Sequence, residues 1–107
     1  MLAELSIIPV GEGTHSSEQI AIALKFVDAS GLLYQLTPSG TCIEGEWDQV
    51  MSVIRQCHER VRSISPHVIT LIKIEDDEEE RNKLTQNVTS VQEKVSRPLN
   101  TTQQRAS

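Results

Sequence analysis

The sequence predicts an α+β domain whose elements run β-α-β-β-α-β, and three observations carry that prediction. Two short apolar runs flank Thr37-Pro38-Ser39-Gly40 as a hairpin would, and two longer segments repeat apolar residues at helical spacing. The first and last patterned segments, in contrast, alternate or are rich in β-branched residues, as strands are.

The opening segment, Leu2 to Val10, places Ala3, Leu5 and Ile7 on one face and Glu4, Ser6 and Ile8 on the other, so one face meets a core. Gly11-Glu12-Gly13-Thr14 reads as a loop. Ser16 with Gln19 three residues later fits a capping box, and Ile20, Leu24 and Val27, helped by Ala23, continue as an amphipathic helix. Gly31 stands where a C-terminal glycine stops a helix.

The hairpin pairs Leu32 to Leu36 with Thr41 to Ile43. Pro38 presets φ at its turn, and Gly40 tolerates a positive one. Glu44 and Gly45 close the second strand, and Glu46-Trp47-Asp48 opens a helix with acids in its first turn, where the helix dipole favours them. Trp47, Val50, Ile54, Cys57 and Val61 then form one stripe expected to be buried, and Ser65-Pro66 ends the helix because the residue before proline avoids the α region.

In the last strand, His67 to Ile74, residues Val68, Thr70, Ile72 and Ile74 share one side and Ile69, Leu71 and Lys73 the other. Six acids, Glu75 to Glu80, lead into a narrow stripe of Leu84, Val88, Val91 and Val95. That stripe predicts an added C-terminal helix from about Glu78 to Val95, too thin to fold without a surface to lie on. The whole is a ferredoxin-like sandwich with strand order 4-1-3-2, a domain over 1–96 and a polar tail over 97–107.

Two helices cover only one face of such a sheet. The other carries Ser6, Ile8, Leu71 and Lys73 and, with Ile43 turned inward, Cys42 and Glu44. Such a face is too apolar to stand alone, which predicts sheet-to-sheet packing in a homodimer, or a homotetramer built of two.

Composition excludes several function classes. Ten Lys and Arg against fifteen Asp and Glu give a net charge of −5, and phosphate backbones demand the opposite sign, so nucleic acid is not an expected partner. Phe26, Tyr34 and Trp47 are the only aromatics, too few for a base-stacking platform. Two cysteines make no disulfide framework and fit a reducing compartment. With no basic-apolar leader and no apolar run near ~20 residues, a cytoplasmic protein without membrane attachment is expected.

No catalytic constellation stands out. Cys57 and His58 are adjacent, but helix neighbours diverge by about 100° and do not face each other, so Cys57 reads as core. Cys42 has no histidine near it in sequence. His15, His58 and His67 make no H-x-H or H-x-x-x-H pair, so no metal is expected. The acidic run lacks the interleaved glycine of a calcium loop, and Gly11-Glu12-Gly13 lacks the third glycine and the lysine of a phosphate loop. A non-enzyme without a cofactor is the expectation.

What remains is a binding surface around the hairpin. Tyr34, then Pro38-x-Gly40-Thr41-x-Ile43-Glu44-Gly45 and an acidic-apolar helix start, resembles the small thiamine-binding-protein family. Glu4-Leu5-Ser6-Ile7-Ile8-Pro9-Val10-Gly11 looks like that family's first strand and Ile72-Lys73-Ile74-Glu75-Asp76 like the end of its last. The resemblance implies a ferredoxin-like homo-oligomer that binds thiamine, or its hydroxymethylpyrimidine portion, in a groove where subunits meet. Matched by motif, Tyr34 would supply an aromatic wall, Ser6, Ser39 and Thr41 the hydroxyl contacts, and Glu44 the charge, either toward the ligand or toward Lys73. Thr41 and Glu44, three apart, cannot share one face of a regular strand. The other reading is a structural or regulatory oligomer with a vestigial groove.

Overall fold

The computed structural model describes residues 1–11 and 16–78, together with Leu84. Six elements follow one another: β1 (Leu2–Val10), α1 (Ser16–Ala29), β2 (Leu33–Thr37), β3 (Gly40–Glu44), α2 (Trp47–Ile64) and β4 (His67–Glu75). The four strands form one antiparallel sheet in the order β2-β3-β1-β4, which is the expected ferredoxin-like order read from the opposite edge. The added C-terminal helix lies outside the described residues.

Strand parity divides β1 as expected: Ala3, Leu5 and Ile7 are buried beneath the helices, while Glu4, Ser6 and Ile8 look out from the other face. On β3 the buried residues are Thr41 and Ile43, so Cys42 and Glu44 belong to the outer face. The core joins these strand residues to Ala23 and Val27 of α1 and to Val50, Val53, Ile54, Cys57 and Val61 of α2. Each buried aliphatic side chain contributes about 1.5–3 kcal/mol from its removal from water, so this shared layer holds helices and sheet together.

The two helices end as their sequences dictate. Beyond α1, Gly31 adopts φ +77°, a conformation open to residues without a Cβ, and the chain reverses into β2. At the end of α2 the Ser65 N–H donates to the Val61 carbonyl at 2.9 Å in extended backbone, and Pro66 follows.

Two expectations, on Trp47 and Gly40, are corrected. Trp47 is the first residue of α2, not a member of the buried stripe, and half its surface is exposed; Val53 takes its place. Gln19 is buried, and its side-chain oxygen accepts the Ser65 hydroxyl at 3.1 Å, joining the start of α1 to the end of α2. Gly40 is not among the glycines with positive φ. The space around it explains the residue: a Cβ there would come within 2.6 Å of the Leu5 carbonyl oxygen and 2.8 Å of the Ser6 Oγ.

That close approach gives a prediction. Gly40→Ala must push β3 away from backbone that β4 holds on its other side, so it should lower stability by about 1–3 kcal/mol in chemical denaturation. A variant as stable as the parent would show that the hairpin end yields freely.

Candidate functional site

The strands of the sheet differ in length, and the site follows from that. β1 pairs with β4 over all nine residues, from Leu2↔Glu75 to Val10↔His67, but with β3 only from Leu2↔Glu44 to Leu5↔Thr41. Beyond Leu5 the hairpin has already turned, at Pro38-Ser39, and returned as β2 through the pair Thr37↔Gly40. The second half of β1 therefore runs on without a neighbour from the hairpin. The notch left there is a cleft of about 430 Å³.

The turn that bounds the notch is tied down from two sides. The Thr37 hydroxyl donates to the Gly40 carbonyl at 2.9 Å and accepts the Gly40 N–H at 3.0 Å, a local lock typical of short hydroxyl side chains in turns. From β1, the Ser6 hydroxyl donates to the Ser39 carbonyl at 2.7 Å, across a separation of 33 in sequence. Ser6 thus fixes the turn over the end of the cleft.

The lining has three parts. Ile20, Ala23 and Leu24 of α1, with Leu36 and Thr41, form the apolar side beneath the helices. Thr37 to Gly40 form the end, and Ser6, Ile8 and Leu71 bring the cleft out onto the open sheet face. All the described lining residues are uncharged, and their polar groups are the hydroxyls of Ser6, Thr37, Ser39 and Thr41 and main-chain amides. Such a surface suits a neutral, planar, partly polar molecule: apolar walls exclude water and a few hydroxyls orient the guest.

Three of the five residues selected from sequence, Ser6, Ser39 and Thr41, meet at this cleft. Tyr34 and Glu44 do not line it. Tyr34 lies on the helix side of the edge strand, opposite Ile43, where its hydroxyl donates to Asp28 Oδ1 at 2.8 Å and fastens β2 to α1. The hydrogen bond to Asp28, together with that carboxylate's charge, raises the phenol pKa above its ordinary value. Glu44 points to the open face between Leu33 and Leu2, four rungs from the Thr37↔Gly40 pair at the hairpin tip. Lys73 stands across from Glu4, not Glu44, so the cross-strand neighbours on the open face are Glu4, Cys42 and Lys73.

Sequence reasoning missed the apolar contributors Ile20, Leu24 and Leu36 as site residues. The signal was the length mismatch between a nine-residue first strand and a five-residue third, which leaves some of β1 unmatched.

Neither cysteine is poised for chemistry. Cys57 lies at the floor of the cleft, fully buried, donating its thiol hydrogen to the Ala23 carbonyl at 3.2 Å; burial pushes its pKa up to about 11. For Cys42, burial and then the nearby Glu4 raise the thiol pKa, while Lys73 opposes them. His58, adjacent to Cys57 in sequence, turns to β4, with its Nδ1 2.6 Å from the Thr70 hydroxyl. Among the described residues no group of three or more His, Cys, Asp or Glu side chains could hold a metal ion, and no described helix is long and apolar enough to cross a membrane.

A ferredoxin-like α+β domain with an uncharged cleft at the edge of an open sheet face is the class this geometry defines. Within it the chain belongs to the thiamine-binding protein family, whose sequence model matches residues 3–92. Among its relatives, a UPF0045 protein of Mycobacterium tuberculosis is 32% identical, over 92% of this chain and 97% of the relative. A UPF0045 protein of Synechocystis is 31% identical over 65% of this chain and 58% of the relative. The crystal structure of a hypothetical protein from Methanocaldococcus jannaschii shares the fold with a TM-score of 0.79, at 25% identity, covering 86% of this chain and 95% of that one.

The thiol environments generate a prediction. The raised pKa of Cys57 favours the neutral thiol in the folded state, so that contribution is complete below the ordinary value of 9.0 and is lost as pH rises through about 11. Wild-type protein should therefore lose stability over that window more steeply than Cys57→Ala in urea titrations. Equal pH slopes would remove Cys57 as the cause.

Proposed function

We propose that the protein binds thiamine, or the hydroxymethylpyrimidine portion of it, in the cleft at the hairpin end and carries out no reaction on it. The observation that carries this reading is the open 430 Å³ cleft, uncharged along its described lining and edged by the hydroxyls of Ser6, Ser39 and Thr41, in a chain of the thiamine-binding family. Its volume lies within the range of about 300–1,000 Å³ usual for small-molecule sites. A binding role also fits the thiols: Cys57 is held as the neutral form at the cleft floor, and His58 is directed away from it.

We further propose that the ligand lies where subunits meet. The cleft emerges on the open face beside Ile8 and Leu71, and that face continues through Ile69 and Leu33, all exposed, with 57% of the Leu71 surface in solvent. A second sheet laid on this surface would bury these side chains and roof the mouth of the cleft in one step. In this arrangement Glu44, on the open face but away from the cleft, serves the contact between sheets. Tyr34 serves the fold.

Calorimetry with thiamine and with hydroxymethyl aminopyrimidine should show saturable binding. Ser6→Ala should weaken it by about 0.5–1.5 kcal/mol through loss of a hydrogen bond that positions the turn. Glu44→Gln should leave the affinity within about twofold, well under the 1.5–3 kcal/mol of a charge-assisted hydrogen bond to ligand. Absence of heat with both compounds would overturn the binding role. Sedimentation should give the mass of a dimer or tetramer at micromolar concentration, and a stable monomer would overturn the shared groove.

A further inference from the structure

Resting on that binding role, the geometry points to the main chain of Ile7 as the edge that recognises the ligand. The group it selects is an amino substituent beside an unprotonated ring nitrogen. The phase of the β1 ladder supports this. The terminal amine of Met1 donates to the Gly45 carbonyl at 3.0 Å, and the Gly45 N–H donates back to the Met1 carbonyl at 3.0 Å. Such a mutual pair alternates along an antiparallel ladder, so Ala3 and Leu5 turn their N–H and C=O toward Ile43 and Thr41, and the even-numbered residues turn theirs toward β4.

Ile7 is next on the β3 side, and β3 has ended. The chain at that level is Ser39, whose carbonyl is taken by the Ser6 hydroxyl, and among the described residues no backbone hydrogen bond joins Ile7 to the turn. Ile7 lines the cleft, so its donor and acceptor face the cavity side by side, in the plane of the sheet. The following residue on this edge is Pro9, which has no N–H to offer. An incoming peptide strand would find one rung and then a gap, so the edge is suited to a guest one rung long.

A planar aminopyrimidine fits this rung. Its ring nitrogen accepts from the Ile7 N–H while its amino group donates to the Ile7 carbonyl, reproducing the mutual pair that β3 would have made. The ring then lies as an extension of the sheet, with one face toward Leu24 of α1 and the other toward the open face. Replacing the amino group with an oxo group puts a ring N–H against the Ile7 N–H and a carbonyl against its carbonyl, so both contacts turn repulsive.

The test uses the intact protein with hydroxymethyl aminopyrimidine and its oxo counterpart, followed by calorimetry and by amide NMR. The amino compound should shift the Ile7 amide resonance and slow its hydrogen exchange at least tenfold, leaving the amides of Ser6 and Ile8, already paired with β4, unchanged. The oxo compound should bind on the order of 10–100-fold more weakly. Binding of the amino compound with an unmoved Ile7 amide, or equal affinity for the two, overturns the Ile7 assignment and leaves the binding role standing. Failure of both thiamine and the amino compound to bind overturns the two together.

Discussion

The structure depends on the mismatch between a long first strand and a short hairpin. β1 is held along its whole length by β4, and this fixes its other edge; the hairpin covers only the first part of that edge before Gly40 meets the Leu5 carbonyl and the Ser6 hydroxyl. Any side chain at Gly40 would move the place where β3 stops. The cleft, the stretch of β1 that β3 does not pair and the seating of the turn by Ser6 all follow from that one point of contact.

The same strand links the site to the rest of the fold through its parity. Its inward residues, Ala3, Leu5 and Ile7, join α1 and α2 in the core, so the backbone that lines the cleft is backed by the buried layer shared by sheet and helices. A binding edge on a buried central strand keeps its geometry, whereas a loop would have to be ordered by the guest at an entropic cost. The turn is anchored to that strand and within itself by hydroxyl contacts, each with a net worth of about 1 kcal/mol.

Much of this was legible in the sequence because it rests on period and punctuation. The alternation of Ala3, Leu5 and Ile7, the helical spacing ending in Cys57 and Val61, Gly31 and Ser65-Pro66 each act locally, and each element appears where they place it. What was not legible depends on register between distant segments. Thr41 and Glu44 were separable by parity alone, but that Tyr34 would bond Asp28 and stand away from the cleft needs the pairing of β2 with β3 and the packing of α1 beneath them. Lys73 faces Glu4 for the same reason: which residues oppose one another is set by where each strand starts. Gly40 was read for its backbone freedom, and its real constraint is a neighbour 35 residues earlier, Leu5.

Parity on β3 also separates two roles of residues three apart. Thr41 points beneath the helices at the cleft and Glu44 out onto the open face, so a change at one alters the cavity and a change at the other alters what the sheet can lie against. Ser6, Ile8 and Leu71 are where these two surfaces touch, since all three line the cleft and belong to the open face. A sheet packed against that face would thus press on the mouth of the cleft through these residues, and occupancy of the cleft would in turn change the surface that the sheet meets. By linkage, any free energy that assembly gives to binding is returned by binding to assembly.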